Sequence, residues 1–274
     1  MKKIRNALPR WAWKLIQYAL VTAFWVGIWV IAAACVGNSL LLPTPAAVLK
    51  RLGQLACEWG FWETLFTSLG RILGGVAIAL VLGILMAIAT HFVPFLYTLF
   101  YPMITIIRSA PIASFLFLLY LWLDRDILPV IIAIFMVLPV VWANLHEALG
   151  TVDASLLEMA ETYRFSPWKK VRRIYYPSVL PAFMASCRSS MGLAWKAGVA
   201  AEAILVPGIS IGKMLYENKI NLETTDLFAW TLTVIALSLV LELLLLALVQ
   251  IVSKRHNKGT LFREGVAYAT TPGT

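Results

Sequence analysis

The sequence predicts an all-α integral membrane protein with six transmembrane helices, and three observations predict it. Of 274 residues, 61% are hydrophobic and only 14% charged. The mean hydropathy of +0.82 lies far outside the range of a soluble domain. Apolar runs of the length needed to cross a hydrocarbon core, about 20 residues of helix, recur along the chain, and the basic residues cluster at alternate ends of them.

In order, the runs lie at roughly 15 to 36, 65 to 90, 102 to 123, 127 to 146, 183 to 206 and 227 to 252. An even number puts both termini on one side. Lys2, Lys3, Arg5, Arg10 and Lys14 precede the first run, Arg164, Lys169, Lys170, Arg172 and Arg173 follow the fourth, and Lys254, Arg255, Lys258 and Arg263 follow the sixth. Only Lys50, Arg51, Arg125, Lys213 and Lys219 fall on the other side. The positive-inside rule therefore makes both termini and the loop of 147 to 182 cytoplasmic. The net charge of +9 is largely this topology, and no aromatic-rich basic patch points to a nucleic-acid partner.

The first run ends in Ala32, Ala33, Ala34 and Cys35, which resembles a lipoprotein cleavage site. It is too long for a signal peptide and lacks the usual leucine-like residue, so an uncleaved first helix is expected. The chain divides into an N-terminal part (1–60) with the first helix and an external segment, a membrane domain (61–254) that includes the polar loop, and a cytoplasmic tail (255–274) expected to lack regular structure. Cys35, Cys57 and Cys187 lie far apart without metal-ligand spacing, so neither a metal site nor a disulfide is expected.

In the second run, Gly70 and Gly74 form a GxxxG, and Gly75, Ala79 and Gly83 continue small residues at four-residue spacing, which lets another helix approach closely in lipid. Pro94, Pro102 and Pro111 break the region between the second and third runs, which is expected to lie near the protein interior. Broken backbone at membrane depth requires protein or a water-filled cavity around it. Six charges, Arg71, Arg108, Arg188, Lys196, Glu202 and Glu242, lie in or at the edges of the apolar runs, where a basic residue at mid-bilayer costs about 2.5 to 3.5 kcal/mol. Arg71 and Arg188 sit near the ends of runs and are expected to snorkel or cap. Lys196 lies deeper, beside Trp195, and points away from Glu202 on a straight helix. Its partner must come from another helix, a second subunit or a solute.

The cytoplasmic loop reads as two short helices around a turn, at about 153–182. Asp153 or Ser155 caps the first, with Ser155 and Glu158 spaced as a capping box. Leu156, Ala160 and Tyr163 form one face, expected to pack on the chain itself, while Glu158 and Glu161 point away. Ser166 and Pro167 start a second helix, in which Trp168, Val171 and Tyr175 form an apolar set among the basic residues. It is expected to stop before Pro177.

This loop resembles the EAA motif of ABC importer permeases. Glu158, Met159 and Ala160 match its opening, Arg164 stands at its glycine, and Ile174, Tyr176 and Pro177 match its close. From about Thr64 to Lys254, the segments TLFTSLGRILGG, IIRSAPIASFLFLLYLW, RSSMGLAWKAGVAAEAI and DLFAWTLTVIALSLVLELL are similar to permeases of the nitrate, sulfonate and taurine importer family. The resemblance implies a type I importer permease fold in a bacterial inner membrane. It implies a pair of permease subunits, two ATP-binding subunits and an external solute-binding protein. The loop residues Glu158, Met159, Ala160, Tyr163, Arg164 and Pro177 would dock an ATP-binding subunit. Arg108, Pro111, Trp195, Lys196 and Glu202 would line the translocation pathway of a small anionic or zwitterionic solute.

Three departures matter. Arg164 in place of glycine argues against a left-handed turn there, which costs a non-glycine residue roughly 1 to 2 kcal/mol, and the turn is expected to shift toward Ser166. Met159 and Tyr176 replace smaller residues. No phosphate-binding loop is present, because Gly208 to Lys213 is one residue short and followed by Met214. ATP and magnesium are therefore expected in the partner subunit, with no cofactor or enzymatic activity in this chain. Two other classes fit the composition. A secondary transporter would use Glu202, Lys196 and Glu242 for ion coupling and need no ATPase, and a membrane scaffold would bind anionic lipid through its basic loop and dispense with Glu158.

Overall fold

The computed structural model describes the backbone of residues 10–269, with side chains described for residue 13 and residues 16–247. Lys2, Lys3 and Arg5 lie outside the described residues. Every regular element described is a helix. The first, α1 (Arg10–Val36), is followed by a short amphipathic helix, α2 (Pro45–Leu55), which starts where the Thr44 hydroxyl accepts from the Ala47 amide at 3.3 Å. A 34-residue helix, α3 (Trp59–Phe92), carries the second span. After it come α4 (Pro94–Ser109) and α5 (Ile112–Leu119), then α6 (Leu128–Gly150) and α7 (Ala154–Thr162).

Among the described residues four helices are long and apolar enough to cross a membrane, at Ile16–Val36, Trp59–Phe92, Leu128–Gly150 and Thr224–Ala247. The other two expected spans differ for separate reasons. The third is broken, with α4 and α5 meeting at 106° around Pro111, whose ring cannot continue a helix and restricts the residue before it. The fifth lies in a 30-residue helix, α9 (Tyr176–Leu205), about 45 Å at 1.5 Å per residue. Its length suffices, but Arg188, Lys196 and Glu202 interrupt its apolar character. A short helix, α10 (Ile211–Ile220), leads to α11 (Thr224–Ala269). This last helix carries on past the sixth span and through the tail expected to be irregular, as far as Ala269. Residues 270–274 lie outside the described residues.

The core is built where α3, α6 and α9 pack, around Ile72, Val137, Val141, Trp142 and Trp195. Small residues set the spacing, though not the ones with the GxxxG pattern. A Cβ at Gly75 would lie 2.5 Å from the Val130 carbonyl oxygen, and one at Gly83 would lie 2.9 Å from Val141 Cγ1, whereas Gly70 and Gly74 meet nothing within 4 Å. The α3–α6 contact thus uses Gly75, Ala79 and Gly83, one face of α3 at i, i+4 and i+8. Gly75→Ala is expected to cost about 1 to 3 kcal/mol through overpacking, and Gly70→Ala to stay within about 0.5 kcal/mol. Thermal unfolding of the purified variants in detergent checks the contrast.

Candidate coupling surface and embedded charges

The polar loop between α6 and α9 is held by a series of local bonds. Asp153, rather than Ser155, caps α7, its carboxylate accepting from the Ser155 amide at 2.9 Å. Hydrogen bonding to Ser155 holds the Asp153 carboxyl below its ordinary value of 3.8. The cap is therefore in place at neutral pH and is lost as pH falls through that lower value. At the other end of α7 the chain adopts the left-handed conformation at Arg164 itself, with φ 50°. The turn does not move to Ser166. The Phe165 amide donates to the Ala160 carbonyl at 2.8 Å and the Arg164 amide to the Glu161 carbonyl at 2.9 Å, the double bond of a Schellman motif. These bonds, with the Lys170–Glu161 ion pair at 3.2 Å and Lys169 Nζ 3.8 Å from the Phe165 ring centre, oppose the strain that glycine would have avoided.

The second loop helix also differs from expectation. It starts as α8 (Pro167–Lys170), with the Ser166 hydroxyl accepting from the Lys169 amide at 3.4 Å, and passes through a π-helical turn (Val171–Tyr175) directly into α9. It does not stop before Pro177. The Tyr176 amide donates to the Val171 carbonyl in the wider π pattern, so the backbone opens immediately ahead of Pro177, where an α-helical proline would clash. Residues 167–205 are one continuous helical rod. The loop surface and the fifth membrane segment are mechanically joined.

The exposed face of the loop is the one expected to pack inward. Tyr163 and Trp168 are 72% and 73% exposed, and Leu156, Met159 and Val171 are exposed with them. Only Ala160 and Ile174 are buried, because α7 projects away from the bundle and has no large surface of its own chain to cover it. Glu158 is exposed beside this apolar patch. Pro177 lies at the start of α9, half-buried. Of the expected docking residues, Glu158, Met159, Tyr163 and Arg164 face outward. Ala160 instead supports them from beneath.

The embedded charges fall into two groups. Glu202 has 0% exposure and accepts from Ser68 Oγ at 2.7 Å, Arg71 Nη1 at 3.1 Å and the Gly212 amide at 3.3 Å. Ser68 Oγ in turn accepts from the Ile211 amide at 2.8 Å. Arg71 also reaches the Ile209 carbonyl at 3.3 Å and Asp126 at 3.4 Å, and Asp126 accepts from the Gly208 amide at 3.1 Å. Arg71 is thus an interior ion-pair partner and not a snorkelling residue. Gly212 is required here, since a Cβ on it would overlap the backbone of Glu202 and Ala203. Trp195 is fully buried and donates to the Val234 carbonyl at 3.2 Å.

Trp195 and Glu202 therefore face the chain's own interior, in contrast to the expected pathway placement. Arg108, Pro111 and Lys196 are left uncovered by this chain, and the structure does not bring them together with Glu202. Sequence reasoning missed Ser68, Asp126 and Gly212. The available signal was the presence of two opposite embedded charges, Arg71 and Glu202, but only the fold makes them neighbours. It also missed the bidentate Arg51–Asp226 pair, at 2.7 and 2.8 Å, which fastens α2 to the start of α11.

Residues 79–258 match the family described as binding-protein-dependent transport system inner membrane component. The chain belongs to this family. It is similar to the taurine transport system permease protein TauC of Escherichia coli, with 26% identity covering 94% of this chain and 97% of that protein. The nitrate import permease protein NrtB of Synechocystis is also 26% identical, over 74% of this chain and 77% of NrtB. In architecture the chain resembles an inward-facing structure of the MetNI methionine ABC transporter, with a TM-score of 0.51 and 20% identity, covering 71% of this chain and 93% of that one. The family member described here is accordingly a multi-pass inner membrane protein with the fold of an ABC importer permease.

Within that fold the Glu202 network is a buried pair whose partners cannot be removed singly. Arg71→Gln is expected to cost about 3 kcal/mol by leaving an uncompensated carboxylate. Thermal unfolding of the purified protein reads the loss, and a melting temperature equal to wild type would contradict the network's role.

Proposed function

We propose that this chain is the permease subunit of an ATP-driven importer that carries a small anionic or zwitterionic solute by alternating access. Two copies form the pathway, an external binding protein delivers the solute, and two ATP-binding subunits dock on the cytoplasmic loops. ATP and magnesium reside in those partners, and this chain transforms nothing chemically. Both termini lie in the cytoplasm, and anionic lipid headgroups meet the basic residues around the loop.

The observation that carries this reading is the continuity of the docking surface with the membrane rod. A partner seated on Glu158, Met159, Tyr163 and Trp168 would grip residues backed by the Schellman turn and the Lys170–Glu161 pair. Movement of that partner passes through α8 and the π turn into α9 without a flexible joint. α9 bears Lys196 on a face that its own chain leaves open. An uncovered cation in a membrane segment needs a counter-charge, which suits an anionic group on the solute. A secondary transporter is disfavoured by the same geometry, since Glu202 is held by three donors and is not free to relay ions.

Glu158→Ala is expected to lower ATP hydrolysis by the purified complex about tenfold or more, in keeping with removal of a charged interface contact. It should also weaken recovery of the ATP-binding subunit from native membranes. A variant that retains both would remove the docking reading. Lys196→Gln should leave complex assembly and melting temperature unchanged and reduce solute uptake into vesicles. Unaltered uptake would exclude Lys196 from the pathway.

A further inference from the structure

The two glycines that α3 does not use for packing within the chain lie on a face of their own. Gly70 and Gly74 are exposed, and a Cβ on either would meet nothing within 4 Å. At about 3.6 residues per turn they share that face with Trp59, Glu63, Phe66 and Ala77, opposite the buried face of Ser68, Ile72, Gly75 and Ala79. Trp59 and Phe66 are 81% and 60% exposed, and with Trp62, Glu63 and Thr67 they line a groove of about 640 Å³ where the span begins. Trp62 is fixed there. Its Nε1 donates to the Ala56 carbonyl at 2.9 Å, its ring meets Phe61 edge-on at 5.4 Å and stacks on Phe66 at 6.0 Å. Phe61 is in turn buried against Trp230, with ring centres 4.9 Å apart. Glu63 is exposed and has no ion-pair partner among the described residues.

We infer that this face of α3 binds a phospholipid with a free ammonium headgroup. The ammonium lies against the Glu63 carboxylate among the rings of Trp59, Trp62 and Phe66, and an acyl chain runs over Gly70 and Gly74. Tryptophan favours the headgroup level of a membrane, and Trp59 opens the membrane-crossing helix. Glu63 sits one turn further in, about 6 Å along the axis, where an unpaired carboxylate needs a counter-charge. A cation is drawn to an indole face as well as to a carboxylate, and Trp62 has its N–H engaged and its ring held. From Glu63 to Gly74 the helix rises about 16 Å, the depth of one leaflet of a hydrocarbon core about 30 Å thick. A second copy of the chain fits the face less well. A helix close enough to use Gly70 and Gly74 would run into Phe66 one turn away and Trp59 beyond it, whereas a flexible chain below a headgroup follows the step from bulky to small residues. The carboxylate disfavours an anionic lipid. The inference concerns the lipid that covers the subunit and is independent of the transported solute.

The test is native mass spectrometry of the full-length permease, delipidated in mild detergent and offered dioleoyl phosphatidylethanolamine, its N-acetylated form or dioleoyl phosphatidylglycerol. The first ethanolamine lipid is expected to bind about tenfold more tightly than either of the others, in line with one charged hydrogen bond. Glu63→Gln should remove that preference, and Trp59→Leu should reduce it about threefold through loss of a cation–π contact. Gly70→Leu keeps every headgroup residue and fills the groove below. It should weaken the ethanolamine lipid about tenfold, as loss of the buried chain contact implies, with a melting temperature near wild type. Glycerophosphoethanolamine, the headgroup without chains, should not compete at equal concentration. Equal binding of the acetylated lipid, an unchanged preference in Glu63→Gln, or full competition by the chainless headgroup would overturn the site. A shift of Gly70→Leu from dimer to monomer mass would overturn it too, by assigning the face to a second copy.

Discussion

Glu202 has no exposed surface, and its charge is held only because a hydroxyl, a guanidinium and a backbone amide converge on it. The end of the bundle around it depends on that convergence. Ser68 and Arg71 come from α3, Glu202 from α9, Gly212 from α10, and Asp126 from the connection before α6. Each partner must be placed within a few tenths of an ångström for the carboxylate to be stabilised in a low-dielectric setting. The network therefore fixes four segments relative to one another. It also accounts for the tight approach at Gly212 and for the left-handed Val206, φ 51°, which turns the chain out of α9 toward Gly208. A β-branched residue in that conformation is strained, and the surrounding bonds hold it there.

At the loop end of α9 rigidity comes from a different source. α7 has little contact with the bundle, so its order cannot come from hydrophobic burial. Caps at Asp153 and Ser166, paired carbonyls at the Schellman turn and one ion pair take that role. The π turn allows Pro177 to sit in an unbroken rod, where a regular α-helix would have been interrupted. A surface that is apolar, acidic and exposed is thus attached to a membrane helix without a hinge. Both ends of α9 are anchored, one by the Glu202 ion network and the other by its continuity with the loop.

Much of this was legible in the residues themselves. Hydropathy alone located the runs that became α1, α3, α6 and the first part of α11, and the polar loop stood out between them. What escaped was set by tertiary context. Arg71 looked like a snorkelling residue because its partner lies 131 positions away. The GxxxG at Gly70 pointed to a packing face, yet the helix meets α6 through Gly75 and Gly83, a rotation that periodicity cannot distinguish. Tyr163 and Trp168 read as an inward face because apolar residues normally are, and only the projection of α7 reverses that. Arg164 kept the glycine conformation because the hydrogen bonds of the turn outweigh a local cost of about 1 to 2 kcal/mol. The third span failed as a continuous helix at Pro111, where the proline signal was visible but the 106° bend was not.

The embedded charges then sort by what completes them. Arg71 and Glu202 satisfy each other inside one chain, which makes them part of the scaffold. Arg108, Arg188, Lys196 and Glu242 have no ion-pair partner among the described residues, although each lies in a stretch where an isolated charge is unfavourable. A scaffold subunit acting alone would be stabilised by replacing them with apolar residues. Their presence makes sense if completion comes from outside the chain, from a second permease copy along the uncovered face of α9 or from a charged solute in passage. Three of the four are cations, so the net demand is for negative charge. Glu242 adds a local demand for a positive one beside Arg188. The Glu202 network fixes the helices around it, and the four uncovered charges have no such completion among the described residues.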